Sequence, residues 1–115
     1  MRAIAHPVAE QLTLPAVMHA LSDPVRLAIV RALRDGAELP CGALHVPVSK
    51  STLSHHLKVL RDAGLTRTRA EGVQRFVSLR TADIEDRFPG LLTCVLSQSL
   101  TAADRIHAGS IAHQI

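Results

Sequence analysis

Ser51, Ser54, His55, Lys58 and Asp62 recur at intervals that gather them on one side of a helix, with Lys50 and Thr52 beside them and Ser49 just ahead. Hydroxyls and an imidazole can donate to or accept from base edges and phosphate oxygens, and an ammonium supplies charge for a phosphate backbone. No nucleophile, base and orienting group recur together, and no glycine-rich loop suited to cradling a phosphate accompanies them. The chemistry on offer is therefore recognition rather than reaction. Ser49, Lys50, Ser51, Thr52, Ser54, His55 and Lys58 are the candidate contacts to duplex DNA.

These residues need a rigid carrier. Ser49 suits an N-cap and Gly64 the position just past a C-terminus, so both ends of a helix over residues 50–63 are chemically marked. Leu53, Leu57 and Leu60 form its apolar stripe, and His56, at the edge of that stripe, is expected to pack with a hydrogen-bond partner. Upstream, residues 39–45 are short and apolar, and Pro47 stops any helix there from running on; the pair predicts a helix-turn-helix over 39–63. Downstream, residues 65–69 and 73–80 are rich in β-branched and alternating residues around a Glu71-Gly72 turn, which predicts a hairpin wing over 65–80. Arg67, Arg69, Arg75 and Arg80 populate it. Arg69 and Arg75, nearest the tip, are the expected contacts to phosphate or minor groove.

The remainder of the chain reads as support. Its 115 residues suit one domain, and with only two Phe and no Trp or Tyr the core must be built from Leu, Val, Ile and Ala. The lack of aromatics also argues against single-stranded nucleic acid, whose sites usually need stacking platforms. Net charge is +3, but residues 50–80 hold seven Lys and Arg against two Asp and Glu, so the positive excess lies on the helix and wing. Asp23 followed by Pro24 starts a core helix that should run to Asp35, after a shorter one over residues 12–21. Residues 83–107 return to a helical pattern broken near Pro89. The stripes Leu14, Val17, Leu21 and Leu92, Val95, Leu96 exceed what so small a domain should cover, and are expected to pair two copies. The expected fold class is mostly α with a small β-hairpin, a winged helix-turn-helix dimerising through its N- and C-terminal helices.

The run Ala20 to Gly36 (ALSDPVRLAIVRALRDG), then STLSHHLKVLRDAGL, then EGVQRFVSLR resembles, in order and spacing, the ArsR/SmtB family of winged-helix bacterial transcriptional regulators over roughly residues 12–100. The resemblance implies a homodimeric repressor that binds an inverted-repeat operator in double-stranded DNA and releases it when an inducer binds. The inducer itself is not legible. Many members carry a Cys-x-Cys pair ahead of the recognition helix; here Cys41 has no cysteine two residues away, and the acidic and histidine spacing used by another subgroup is also absent, so no metal or other cofactor is expected. His107 and His113, with Asp104 nearby, leave a tail site across a dimer open.

Rival readings are a metal- or thiol-redox-responsive repressor using Cys41, and a winged-helix module that binds protein instead of DNA. Cys94, inside an apolar run, is expected to be a small buried hydrophobe, which makes Cys41 the better redox candidate. No signal peptide or apolar run approaching ~20 residues is present, so no membrane partner and a cytoplasmic location are expected.

Overall fold

The computed structural model describes residues 4–98. A short 3₁₀ turn over Ala9–Gln11 leads into α1 (Leu14–Leu21), and α2 (Pro24–Ala32) follows almost at once. Each start is built from the local sequence. Thr13 Oγ1 accepts from the Ala16 amide at 3.4 Å with Pro15 in the first turn, and Asp23 Oδ2 accepts from the Arg26 amide at 3.0 Å with Pro24 opening the helix. Helix α2 closes at Ala32 rather than Asp35, because Leu33 already shares its amide between the Ile29 and Val30 carbonyls and the last turn tightens.

Residues 39–45, expected to be helical, are not. Glu38–Pro40 form a short strand, β1, and Cys41–Ala43 a single 3₁₀ turn. A segment this short, with Pro40 and Gly42 inside it, gains little as a helix, whereas β1 can pair with a partner far along the chain. Helix α3 (Lys50–Asp62) then begins on Ser49 and ends in a Schellman motif: Leu65 N–H donates to the Leu60 carbonyl at 3.0 Å and Gly64 N–H to that of Arg61 at 3.0 Å. Gly64 adopts φ 86°, and a Cβ there would stand 2.0 Å from Leu12 Cδ2, so glycine is required twice over.

Strands β2 (Thr66–Glu71) and β3 (Gln74–Leu79) form the hairpin, and β1 joins the other edge of β3, giving an antiparallel sheet of order β1-β3-β2. The wing is thus three-stranded, and its two-residue turn is Gly72-Val73, one residue later than expected, with Glu71 opposite Gln74. Gly72 has φ 61° and Val73 does not share the positive sign, the pattern of a type II′ turn. The last helical region is α4 (Thr81–Arg87) and α5 (Leu91–Ser97), separated at Pro89 and Gly90 as the sequence suggested. Glu85 bridges the break by accepting from the amides of Gly90 and Leu92, each at 3.1 Å. Residues 99–107 of the expected final helix, with His107, His113 and Asp104, lie outside the described residues.

The core is aliphatic throughout: Val17, Ile29, Val30, Leu33, Leu60, Leu65, Val77 and Ile84 are fully buried, joined by Leu12, Leu57 and Leu92. Val17 and Leu92 therefore belong to the protomer's own interior, which corrects their expected place in a dimer stripe; Leu14 and Met18 are the large apolar side chains of α1 left exposed. Cys94 is exposed and Cys41 half-buried, the reverse of the expected roles, because the α5 face bearing Leu92, not that bearing Cys94, meets the core. No helix among the described residues is long and apolar enough to cross a membrane.

Candidate nucleic-acid interface

Helix α3 is anchored from below. His56, Leu57 and Leu60 are buried and Lys50, Ser51, Thr52, Ser54, His55, Lys58 and Asp62 are exposed, as helical periodicity leads one to expect, but Leu53 of the expected apolar stripe is only half-buried. The anchor includes a buried arginine that the sequence reading passed over. Arg26 donates from Nε to the Ala20 carbonyl at 2.8 Å and from Nη2 to the His19 carbonyl at 3.2 Å, tying α2 to the end of α1, and its Nη1 meets His56 Nδ1 at 3.1 Å. A guanidinium has only donors, so His56 Nδ1 accepts and the proton sits on Nε2, which lies 3.9 Å from Asp23 Oδ2. Burial, helped by Arg26, lowers the His56 pKa below its ordinary value although Asp23 pulls the other way.

Not every expected contact keeps its polar group free. The Ser49 hydroxyl accepts from the Thr52 amide at 3.2 Å and donates to Thr52 Oγ1 at 2.9 Å, so its side chain is occupied as the helix cap. Lys58 Nζ pairs with Asp62 Oδ2 at 2.5 Å, one turn along the helix. Exposed pairs of this kind are worth about 0.3–0.5 kcal/mol and exchange readily for a phosphate. Ser51 Oγ lies 3.2 Å from Ser49 Oγ, whereas Lys50, Ser54 and His55 remain open to solvent on the same surface.

The wing separates the two arginines that the sequence placed together at its tip. Arg69 lies opposite Phe76, and Arg75 opposite Ala70, so the pleat sends them to opposite faces of the sheet. On the outer face Arg69 donates to both carboxylate oxygens of Glu38, at 3.0 and 2.9 Å, reaches Glu71 Oε1 and stacks 4.6 Å over the Phe76 ring. Its charge is matched inside the protein: the pair holds the Glu38 carboxyl below its usual range and raises the Arg69 pKa. Arg80 is likewise committed, buried and bound to Asp83 and to the Pro7 carbonyl, and Arg67 lies 4.0 Å from the same aspartate.

Arg75 is different. It shares the inner face with Val77 and Thr68, and with α3 it borders a cleft of about 530 Å³ lined also by Cys41, Lys50, Leu53, Leu57, Lys58 and Arg61. Arg61 is a site residue the sequence reading missed. The signal was present: positions 50, 54, 58 and 61 step by four, four and three, which runs three cations and a serine along one edge of the helix. Among the described residues Lys50, Arg61 and Arg75 have no carboxylate partner. Burial pushes the Cys41 thiol up despite the nearby Arg75 and Arg61, so it is poorly poised as a thiolate. Among the described residues no three His, Cys, Asp or Glu side chains come together as metal ligands.

Residues 21–69 match the family model of a helix-turn-helix domain. The chain is 44% identical over 79 residues to the uncharacterized HTH-type transcriptional regulator YceK of Bacillus subtilis (strain 168), covering 66% of this chain and 79% of that protein. It is 38% identical over 74 residues to the arsenical resistance operon repressor of Staphylococcus aureus, covering 64% of this chain and 71% of the repressor. An ArsR-like transcriptional regulator from Rhodococcus sp. RHA1 has the same fold, with a TM-score of 0.57 at 25% identity over 89% of this chain and 94% of the other. With the capped α3, the wing behind it and these relatives in agreement, the chain belongs to the ArsR/SmtB family of winged helix-turn-helix transcriptional regulators.

Proposed function

We propose that the protein is a homodimeric repressor that binds an inverted-repeat operator in duplex DNA. The observation that carries this reading is the exposed face of α3, where Lys50, Ser51, Thr52, Ser54, His55 and Lys58 stand on a helix fixed at both ends and anchored through His56, Leu57 and Leu60. In this reading Ser51, Ser54 and His55 address base edges in the major groove, while Lys50 and Lys58 from the helix and Arg75 from the inner wing face hold phosphates. Ser49 contributes by fixing the first turn. Arg69 contributes by joining β1 to β2 across the sheet rather than by touching DNA.

Dimerisation supplies the second reader. Leu14 and Met18, one turn apart on α1, are 42% and 56% exposed, and the half-buried Leu91, Val95 and Leu96 of α5 extend the apolar surface available to a second copy. An isologous contact between such surfaces sets two α3 helices about one DNA turn apart, ~34 Å, which is what an inverted repeat requires. An inducer that disfavours this arrangement would release the operator, and with Cys41 alone at its position the family's cysteine-pair metal site is not the means.

Selection from a random duplex library, followed by anisotropy titration of the selected site, tests the reading. A dyad-symmetric site is expected, with affinity falling by roughly 10³–10⁵ between 50 and 200 mM salt if ~6–10 phosphates are neutralised. A site without a dyad, or binding indifferent to salt, would refute it.

A further inference from the structure

The cleft between α3 and the inner face of the wing is built for more than a stretch of phosphate backbone. At about 530 Å³ it falls within the size range of small-molecule pockets. Its walls combine Leu53, Leu57 and Cys41 with four cations, Lys50, Lys58, Arg61 and Arg75. Thr68 borders the cleft and is 7% exposed, and its Oγ1, buried like that of Thr66, has no hydrogen-bond partner. A buried hydroxyl without a partner costs stability in the free protein, and an acceptor delivered into the cleft would relieve that cost.

We infer that this cleft binds an anionic amphiphile, a molecule with one carboxylate, sulfonate or phosphate head on a compact apolar body, and that such a ligand and DNA exclude each other. The head takes the guanidinium charges of Arg61 and Arg75 and the hydroxyl proton of Thr68, and the body lies against Leu53, Leu57 and Cys41. Occupancy removes from the DNA-facing surface the cations Lys50, Lys58 and Arg75, so release of DNA needs no change of fold. A simple anion would leave the apolar wall uncovered, and a neutral molecule would leave the cations unmatched. The exclusion of DNA rests on the DNA-binding reading of α3; the ligand site does not.

The probe is 1-anilinonaphthalene-8-sulfonate, whose fluorescence reports entry into an apolar site, set against its uncharged analogue N-phenyl-1-naphthylamine. On the full-length protein without DNA, the sulfonate should bind at least ~10-fold more tightly than the neutral compound. Backbone amide NMR shifts should map its site to residues 50–61, 68 and 75. The double substitution Arg61→Gln/Arg75→Gln should weaken it ~10-fold, and Thr68→Val, which keeps the side-chain volume, about threefold. The Thr68→Val variant keeps the test decisive if the double variant does not fold. Equal binding of the neutral compound, displacement by inorganic sulfate at the same concentration, or shifts confined to α1 and α5 would overturn the ligand site. The selected operator should then displace the probe in proportion to its own binding. Operator that binds while the probe stays in place would overturn the exclusion, whereas probe binding at the cleft with no DNA binding at all would keep the site and refute the repressor reading.

Discussion

Two groups of arginines, at the root of α3 and along its outer edge, show how one helix serves both stability and recognition. At the root Arg26 is buried, every polar arm has a partner, and its donors run to the carbonyls of His19 and Ala20 and to His56. Along the edge Arg61 and Arg75 face the cleft with no carboxylate among the described residues to match them. Arg69 belongs with the first group although it is exposed, because Glu38 and Glu71 match its charge. A basic residue count cannot tell these apart. What distinguishes them is whether the protein itself supplies the counter-charge.

Breaking the root should give the largest loss of stability. Arg26→Leu leaves the His19 and Ala20 carbonyls and His56 Nδ1 without their donor, an expected cost of about 3 kcal/mol, read as a lowered midpoint in urea denaturation with an unchanged slope. DNA affinity of the protein that remains folded should be nearly intact. Lys58→Ala/Arg75→Ala should do the opposite. Its denaturation midpoint should move little, while affinity for every duplex falls ~10–100-fold and the salt slope shrinks by about 0.9 per lost phosphate contact. If the double variant changes sequence preference instead, these side chains read bases and the assignment of Lys58 and Arg75 to phosphate is wrong.

A smaller effect sharpens the comparison through pH. The His56 pKa is lowered in the folded protein, chiefly by burial, and that of His6, which accepts from the Thr68 amide at 3.0 Å, is lowered for the same reason. A histidine that binds its proton less readily when folded contributes stability that is complete above its unfolded pKa, about 6.5, and is lost as pH falls below it. Thermal midpoints should therefore fall between pH 7 and 5, and His6→Gln/His56→Gln should flatten that slope. Protonation also turns His56 Nδ1 into a donor facing Arg26, so α3 should loosen first, seen as faster amide exchange in residues 50–62. The smallest effect belongs to Arg69→Ala. DNA affinity should stay within about twofold, since its charge is already matched; a tenfold loss would move Arg69 into the recognition surface.

The local ends of the elements were legible in the residues themselves. Asp23-Pro24, Ser49 and Gly64 announce caps whose partners lie within a few residues, and each is found in place. Leu57 and Leu60 of the expected stripe Leu53, Leu57, Leu60 and the outward set on α3 follow from helical periodicity, Leu53 being only half-buried, and an all-aliphatic core follows from a chain with two Phe and no other aromatic of that class. Residues 39–45 were misread because their structure is settled elsewhere: Leu39 pairs with Val77, a partner nearly forty residues away, and no local pattern carries that information.

The same reason governs the functional surface. The sequence by itself determined that a capped, cationic, small-residue helix would stand in front of a basic hairpin, because caps, periodicity and charge are properties of neighbours along the chain. Only the tertiary structure decided which of those charges are free. Any two-residue turn puts Arg69 and Arg75 on opposite faces, but only the packing of α3 on the sheet makes Arg75's face the inner one, and only β1 brings Glu38 to Arg69. Tertiary packing likewise exposed Cys94 and buried Leu92 two residues before it, since which side of a short apolar helix meets the core depends on where the core lies.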